Sequence, residues 1–168
     1  PLPLFRRNSV YCRAGPMLKK LARNMPADDN ELNFLHSLSA FVAKNVRYER
    51  GHTDSSSTAE EAAQMGFGVC QDHVHVFLAL ARHAGFAARY VSGYLMEPGL
   101  ADIAASHAWA EAYVNELGWV GFDISNAMSP NANYVRLASG LDYSDIQPVA
   151  GLRFGEGAEN MSAKVTIQ

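Results

Sequence analysis

The stretch "GFGVCQDHVHVFLALARHAGF", residues Gly66–Phe86, decides the fold, because it combines a lone cysteine with the clearest helix signal in the chain. Residues 70–84 are apolar at most positions, and Gly85 follows as a typical helix stop. Two glycines interrupt the chain just before this segment. The pattern therefore predicts a helix with Cys70 in its first turn.

The side of the helix on which Cys70 lies bears on its role. A helix turns about 100° per residue. This spacing predicts a solvated face, made of Gln71, Asp72, His75, Arg82 and His83. Cys70 falls on the opposite side, with Val74, Phe77 and Ala81. We therefore expect the thiol to face inward, at the end of the helix where it reaches the edge of the core.

Cys70 has two interpretations. Free cysteine is among the most buried residue types, which favours a packed core thiol. At a helix N-terminus, however, unpaired N–H groups stabilise a thiolate and can hold an oxyanion. Gly66 and Gly68 would let a substrate backbone approach. The Asp72 carboxylate disfavours a neighbouring thiolate unless a cationic histidine offsets it.

Six histidines are candidates for that cationic partner. Three are expected on solvated faces or in loops: His36, His52 and His83. His73 and His75 form a His-x-His pair, but on a helix their side chains point about 160° apart, which is unsuited to a shared metal. His73 lies one turn from Cys70 and is an alternative base, although we expect it to be a hydrogen-bonded histidine at the edge of the core.

His107 begins a segment, "HAWAEAYV", that alternates over residues 107–114 and predicts a strand. The alanines form a small, smooth face suited to a core. His107 shares the other face with Trp109, Glu111 and Tyr113, and a histidine beside a tryptophan at a strand end is well placed at a cleft. The segment alone is equally compatible with a surface histidine on an exposed strand.

Asp123 ends the next predicted strand, residues 118–123, where a carboxylate can accept the imidazole N–H and fix its tautomer. Glu111 is on the face of His107, but four residues along a strand is about 13 Å. Only an odd number of connecting residues places Asp123 opposite Trp109 and diagonal to His107. We therefore predict a connection of three or five residues.

The other elements predict an α+β class, because helices come first and antiparallel strands follow. Residues 1–29 are expected to form an arm with a short helix at 17–24. A second helix follows three N-cap candidates, namely Asp28, Asp29 and Asn30. Thr58 with Glu61 fits a capping box that starts a helix to about Met65.

Further strands are predicted at 88–95 and in "SAKVTIQ", residues 162–168. The loop at 96–106 is long enough to border a site. We see no repeat and no second domain, so residues 1–168 are expected to form one domain.

Composition excludes several function classes. The chain has 168 residues and a net charge of −3, which gives no electrostatic case for a nucleic acid or an anionic membrane as partner. No apolar run approaches the roughly 20 residues that span a bilayer. No secretory signal is visible, and we expect a cytoplasmic protein, although a start at Pro1 is compatible with a fragment of a longer chain. A bridge between Cys12 and Cys70 stays open and would block Cys70.

Three ordered segments resemble the core of the transglutaminase-like superfamily, closest to its bacterial, calcium-independent, cysteine-peptidase-like branch. They are "GVCQDHVHVFLALARHAGFAARYVSGYL", "HAWAEAYV" and "GWVGFDISN". The resemblance covers residues 66–126 and extends more loosely to "VRYERG" and "GLDYSDIQPVAGLRFG". It implies a papain-like fold whose nucleophile helix packs against an antiparallel sheet or partial barrel. It also implies a Cys-His-Asp triad at Cys70, His107 and Asp123.

The implied chemistry is acyl transfer through a thioester, with a peptide or protein amide as substrate and with no cofactor or metal. The candidates for the substrate cleft are Gly68, His73 and Trp109. Members often have an aromatic residue in place of His73, and the usual Pro-Thr after the aspartate is Ile124-Ser125 here. Bacterial relatives often carry an additional β-rich domain upstream, and we expect that domain to be absent from this chain or to have been cut away.

Three alternatives stay open at this stage. One is an acyltransferase similar to arylamine N-acetyltransferases, which fits the spacing of the motifs less well. Another is a peptide-binding module with an idle triad. The third is a zinc site that uses Cys70 and histidines. For an enzyme, the N–H of Cys70 would be one oxyanion donor, and the candidates for the second are Tyr48 and the residues of the 64–69 loop.

Overall fold

A computed structural model of the chain describes residues 1–96, 102–103, 106–147 and 165–166. It contains four α-helices in the first half of the chain: α1 (Pro16–Ala22), α2 (Glu31–Asn45), α3 (Ala59–Met65) and α4 (Cys70–His83). Short 3₁₀ turns lie at Leu2–Arg6 and Tyr143–Asp145. No helix among the described residues is long and apolar enough to cross a bilayer.

The starts of α2 and α3 follow the capping signals in the sequence. The Asn30 side chain accepts a hydrogen bond from the Asn33 N–H, so Asn30 is the N-cap among the three candidates before α2. Thr58 and Glu61 form the predicted capping box of α3, and Gly66 ends that helix in the left-handed conformation at a φ of 72°.

The main sheet is antiparallel, and its strands are β3 (Ala88–Leu95), β5 (His107–Val114), β6 (Gly118–Phe122) and β7 (Tyr134–Gly140). The strand order is β6-β5-β3-β7. Two short ladders accompany it: β1 (Arg47–Tyr48) with β2 (Phe67–Gly68), and β4 (Asp102–Ile103) with β8 (Val165–Thr166).

The sequence predicted three of the four main strands, and β7 was missed. Of the strand predicted at 162–168, two residues are described, and they pair with Asp102–Ile103. The rest of that segment, and most of the loop predicted at 96–106, lie outside the described residues. The helices and the antiparallel sheet confirm the α+β class.

The hairpin between β5 and β6 has the predicted odd-numbered connection. Val114 pairs with Gly118, which leaves three residues, 115–117, between the strands. Ala110 pairs with Phe122. Continued by one residue, this register sets Asp123 opposite Trp109, which is the position that the sequence argument required.

Helix α4 packs on the alanine face of β5. Ala108, Ala110 and Ala112 are buried in one core cluster with Val74 and Phe77 of the helix. Their small side chains leave room for a bulky helix face against the sheet. The packing fixes the N-terminus of α4, and so Cys70, near the end of β5 at which His107 lies.

The predicted solvated face of α4 is wrong in its middle, because Asp72, His75 and Arg82 are buried. At its ends, His83 is exposed as predicted and Gln71 is half-buried. The N-terminal arm covers this face. Arg82 is 5% exposed and donates hydrogen bonds to the backbone carbonyls of Phe5, Ala88 and Leu141. One guanidinium therefore ties the arm and the end of the sheet to the helix.

His75 is the second buried residue of that face. Its ring stacks on Tyr11 at 5.2 Å and lies 5.2 Å from the ring of Tyr90, and its Nε2 accepts a hydrogen bond from the Tyr143 N–H. Burial lowers the pKa of His75 to about 3, with Asp142 opposing this shift and Arg82 adding to it. The ring is therefore neutral in the folded protein.

We expect this neutral histidine to make the fold sensitive to acid. The unfolded chain protonates His75 below about pH 6.5, and the folded chain only below about pH 3, so the free energy of unfolding falls as the pH falls through this window. From pH 7 to pH 5 it should fall by about 2 kcal/mol more in the wild type than in His75→Gln. Urea unfolding at the two pH values measures this difference, and an equal pH dependence of the two proteins would refute it.

Candidate active site

His107 and Asp123 form a close charged pair at the end of the sheet. The His107 Nε2–H donates to Asp123 Oδ2 at 2.6 Å, and Asp123 is fully buried. Glu111, the other carboxylate on this face, instead forms ion pairs with Arg89 and Arg136. The structure therefore pairs His107 with the carboxylate that strand geometry favoured.

Cys70 is the first residue of α4, and it lies half-buried against the core. Its thiol lies near enough to His107 to contribute to the raised pKa of that imidazole. Because Nε2 of the imidazole is committed to Asp123, Nδ1 is the ring nitrogen left for the thiol. The structure thus brings Cys70, His107 and Asp123 together in one row.

The second cysteine lies away from this row. Cys12 is fully buried, burial raises the pKa of its thiol to about 11, and both cysteines are free. The bridge that the sequence left open is not formed. Cys70 is therefore the accessible thiol of the pair.

The electrostatics of the row favour a charged imidazole. Burial alone would lower the pKa of His107, but hydrogen bonds to Asp123 and Cys70, and the charges of both, raise it to about 9. Burial also acts to raise the pKa of Asp123, but its hydrogen bond and charge interaction with His107 hold that pKa below its usual value. Asp123 is therefore ionised at neutral pH and stabilises an imidazolium.

Asp72 caps the helix at which the thiol lies. Its Oδ2 accepts hydrogen bonds from the Val69 N–H at 2.8 Å and the Thr53 hydroxyl at 2.7 Å, while burial raises the pKa of its carboxyl. A Cβ on Gly68 would lie 2.6 Å from the Cβ of Asp72. Gly68 is buried, so its missing side chain makes room for this cap and not for a substrate, which corrects our assignment of Gly68 to the cleft.

His73 lies in the core with hydrogen-bonded ring nitrogens, as we expected, and this corrects its place among the cleft candidates. It is 2% exposed, its Nε2–H donates to the Val46 carbonyl at 2.7 Å, and its Nδ1 accepts from the Ser125 hydroxyl at 2.9 Å. Burial lowers the pKa of His73, which fits a neutral ring. Both ring nitrogens are engaged, so His73 is not available as a base for Cys70. His73 and Ser125, which fall at the two departures from the family pattern, are hydrogen-bonded to each other.

An open cleft of about 240 Å³ lies beside the row. It is lined by Tyr48, Leu95, His107, Ser125 and Asn126. Trp109, the third cleft candidate, is 3% exposed, and its ring lies 6.4 Å from that of His107. Trp109 therefore supports the imidazole from behind and does not line the cleft.

Two residues that form hydrogen bonds to Asp123 were not predicted from the sequence. Asn126 donates from its side chain to Asp123 Oδ2 at 2.7 Å, and from its backbone to Oδ1 at 3.2 Å. Tyr134 donates its hydroxyl to Oδ2 at 2.7 Å. Asp123 and Asn126, three residues apart, are a turn signal that could have been used. Tyr134 gave no signal, because its strand was not predicted.

No group of three or more His, Cys, Asp or Glu side chains in the described ranges is arranged to hold a metal ion. The row of Cys70, His107 and Asp123 is instead suited to nucleophilic chemistry, in which a base activates a thiol and a carboxylate orients the base.

Gly93 allows the Trp109 ring to pack closely behind His107. It pairs with His107, and a Cβ there would overlap with the Val135 carbonyl oxygen and lie 2.8 Å from the Trp109 ring. We expect Gly93→Ala to lower the free energy of unfolding by more than about 2 kcal/mol. Gly51→Ala is the control, because its Cβ would meet nothing within 4 Å and only the positive φ costs stability, about 1 kcal/mol. Urea unfolding of both variants checks this, and equal losses would contradict it.

A thiol at a helix N-terminus that faces an imidazole and a carboxylate on an antiparallel sheet defines the class of papain-like thiol enzymes. The family model of the transglutaminase-like superfamily matches residues 19–124, which is more than half of the chain. The chain belongs to this superfamily.

Two mycobacterial relatives are similar over most of the chain. An uncharacterized protein of Mycobacterium leprae is 34% identical over 163 residues, which are 94% of this chain and 56% of the relative. An uncharacterized protein of Mycobacterium tuberculosis strain H37Rv is 32% identical over 143 residues, which are 79% of this chain and 45% of the relative. The chain thus spans about half the length of these relatives.

Solved structures are similar as well. A crystal structure from Cytophaga hutchinsonii named a "Putative Cysteine Protease" has a TM-score of 0.76 at 27% identity, over 87% of this chain and 49% of that one. The periplasmic domain of TgpA from Pseudomonas aeruginosa, bound to ethylmercury, has a TM-score of 0.54 at 18% identity, over 74% of this chain and 48% of that one. The second likeness concerns the fold alone.

Proposed function

We propose that the chain is a thiol acyl-transfer enzyme that acts on amide bonds of peptides or proteins, either as a cysteine peptidase or amidase or as a transglutaminase-like enzyme. The observation that supports this most is the 2.6 Å hydrogen bond from His107 to the buried Asp123, beside the thiol at the N-terminus of α4. A purely structural role for His107 would not explain why a half-buried cysteine lies beside the His107–Asp123 pair.

In the first step, His107 takes the proton of the Cys70 thiol on Nδ1 and becomes an imidazolium stabilised by Asp123. The thiolate attacks the amide carbonyl, a C–S bond forms, and the carbonyl electron pair moves to the oxygen. The backbone N–H of Cys70 is one donor to this oxyanion. We assign the second donor to the hydroxyl of Tyr48, because Tyr48 lines the cleft with His107 and the Val69 N–H is already used by Asp72.

In the second step, the tetrahedral intermediate collapses, the C–N bond breaks, and His107 returns its proton to the leaving amine. A thioester on Cys70 remains. Water resolves it in a hydrolase, and an amine resolves it in a cross-linking enzyme. Hydrolysis is favoured, because the 27% identical Cytophaga neighbour is named a "Putative Cysteine Protease".

Product analysis tests the proposal. The protein is incubated with a mixture of glutamine-containing peptides, with and without methylamine, and with Cys70→Ala as the control. We expect cleaved or deamidated peptides without the amine, and methylated amides in addition if transfer competes. Acetyl transfer from acetyl-CoA to an arylamine would instead support an N-acetyltransferase-like enzyme. Peptide binding with neither product nor a thioester on Cys70 would support a binding module.

A further inference from the structure

Asp123 Oδ2 receives three hydrogen bonds from three separate side chains. His107 donates at 2.6 Å, Asn126 at 2.7 Å and Tyr134 at 2.7 Å. Asn126 follows Asp123 in the same turn, and His107 comes from β5. Tyr134 is different, because it comes from β7, which is separated from β5 by β3. A long side chain from a distant strand therefore reaches the one oxygen on which the imidazole depends.

The Tyr134 ring also packs against the residues around the imidazole. It meets Trp109 edge-on at 5.4 Å and lies 5.9 Å from the His107 ring. This contact needs Gly93 on the intervening strand, where any Cβ would press on the Trp109 ring. The phenol is thereby held in one place, and its hydroxyl has a fixed direction.

The hydroxyl acts on Asp123 as a donor throughout the working pH range. Burial, together with the hydrogen bond to Asp123 and the charge of Asp123, raises the pKa of Tyr134 well above its usual value. An Asp carboxylate can rotate about its Cα–Cβ and Cβ–Cγ bonds, and each fixed donor restricts that rotation. Besides His107 and Tyr134, the titratable ring near Asp123 is His73, and burial lowers the pKa of His73 and favours its neutral form.

We infer that Tyr134 is a positioning residue, whose hydroxyl holds Asp123 Oδ2 in the orientation that receives the Nε2–H of His107. The inference rests on the proposed function, because it assigns a role within the same row. The Tyr134 hydroxyl donates to Asp123 and not to the thiol, so it acts through Asp123.

The test is the rate at which iodoacetamide alkylates Cys70 at pH 6 and pH 9, followed by peptide mass spectrometry. Tyr134→Phe removes one oxygen and keeps the ring contacts. Tyr113→Phe is the matched control, because Tyr113 lies on β5 and meets Trp119 edge-on at 5.8 Å, away from Asp123. We expect Tyr134→Phe to lower the rate at pH 6 about tenfold and Tyr113→Phe to leave it unchanged.

A double variant tests whether Tyr134 acts through Asp123. In an Asp123→Asn background, adding Tyr134→Phe should lower the alkylation rate of Cys70 at pH 6 by less than a further twofold. An unchanged or increased rate in Tyr134→Phe would overturn the inference, and so would a full tenfold further loss in the double variant. If Cys70 of the wild type is unreactive at pH 6, the proposed function fails. If the wild type is reactive at pH 6 and Tyr134→Phe reacts at the same rate, this inference alone fails.

Discussion

Replacing Cys70 with alanine is expected to lower kcat/KM for amide substrates by at least about 10⁴-fold. The variant keeps His107, Asp123 and the N-terminus of α4, but no atom remains that can form the thioester. Water would have to attack the amide directly, without the covalent step that divides the barrier. Initial rates on a substrate found by the product analysis measure the loss.

Cys12→Ala is the matched control for this prediction. Cys12 is fully buried at a distance from the row, so its removal should leave kcat/KM within about twofold while costing stability through the cavity it creates. Activity that survives in Cys70→Ala, or that is lost equally in Cys12→Ala, would contradict the assignment of the nucleophile.

Replacing Asp123 with asparagine is expected to lower kcat/KM by about 10³-fold. The amide keeps the size of the carboxylate but loses the charge that stabilises the imidazolium. Because that charge helps raise the pKa of His107 to about 9, the pKa should fall towards the ordinary histidine value of about 6.5. Rates across pH, together with an NMR titration of the imidazole, measure both effects.

Glu111→Gln is the control for the loss of a carboxylate. Glu111 lies on the same strand face as His107, but its partners are Arg89 and Arg136, so the change should reduce stability and leave kcat/KM nearly unchanged. If Asp123→Asn keeps its rate within tenfold, or if Glu111→Gln loses as much, the carboxylate assignment is wrong.

The sequence predicted the pairing of His107 with Asp123 because this pairing depends on local relations. Alternation fixed which side chains of 107–114 share a face, and a three-residue connection set the parity that brings Asp123 to Trp109 and His107. These relations depend on a few neighbouring residues and on the strand period alone. The helix at Cys70 likewise follows from spacing and from the glycine at its end.

The parts that failed depend on segments distant in sequence. The helical wheel assigned His75 and Arg82 to solvent, because no periodicity shows that an N-terminal arm will cover them. Tyr134 reaches Asp123 because its strand, β7, pairs with the edge of β3 that faces away from β5. Gly68 was assigned to a substrate cleft because it has no side chain. In the structure, the space that a side chain would fill is occupied by the Asp72 cap.

The pH dependence of Cys70 alkylation tests the central claim, which is that the thiol and His107 form a charged pair. A free thiol with a pKa of about 8.5 loses more than about a hundredfold in rate from pH 9 to pH 6. We predict that iodoacetamide modifies Cys70 of the wild type at pH 6 within about tenfold of its rate at pH 9. His107→Ala should show the full loss of a free thiol. Equal, steep pH dependence in both proteins would contradict the account.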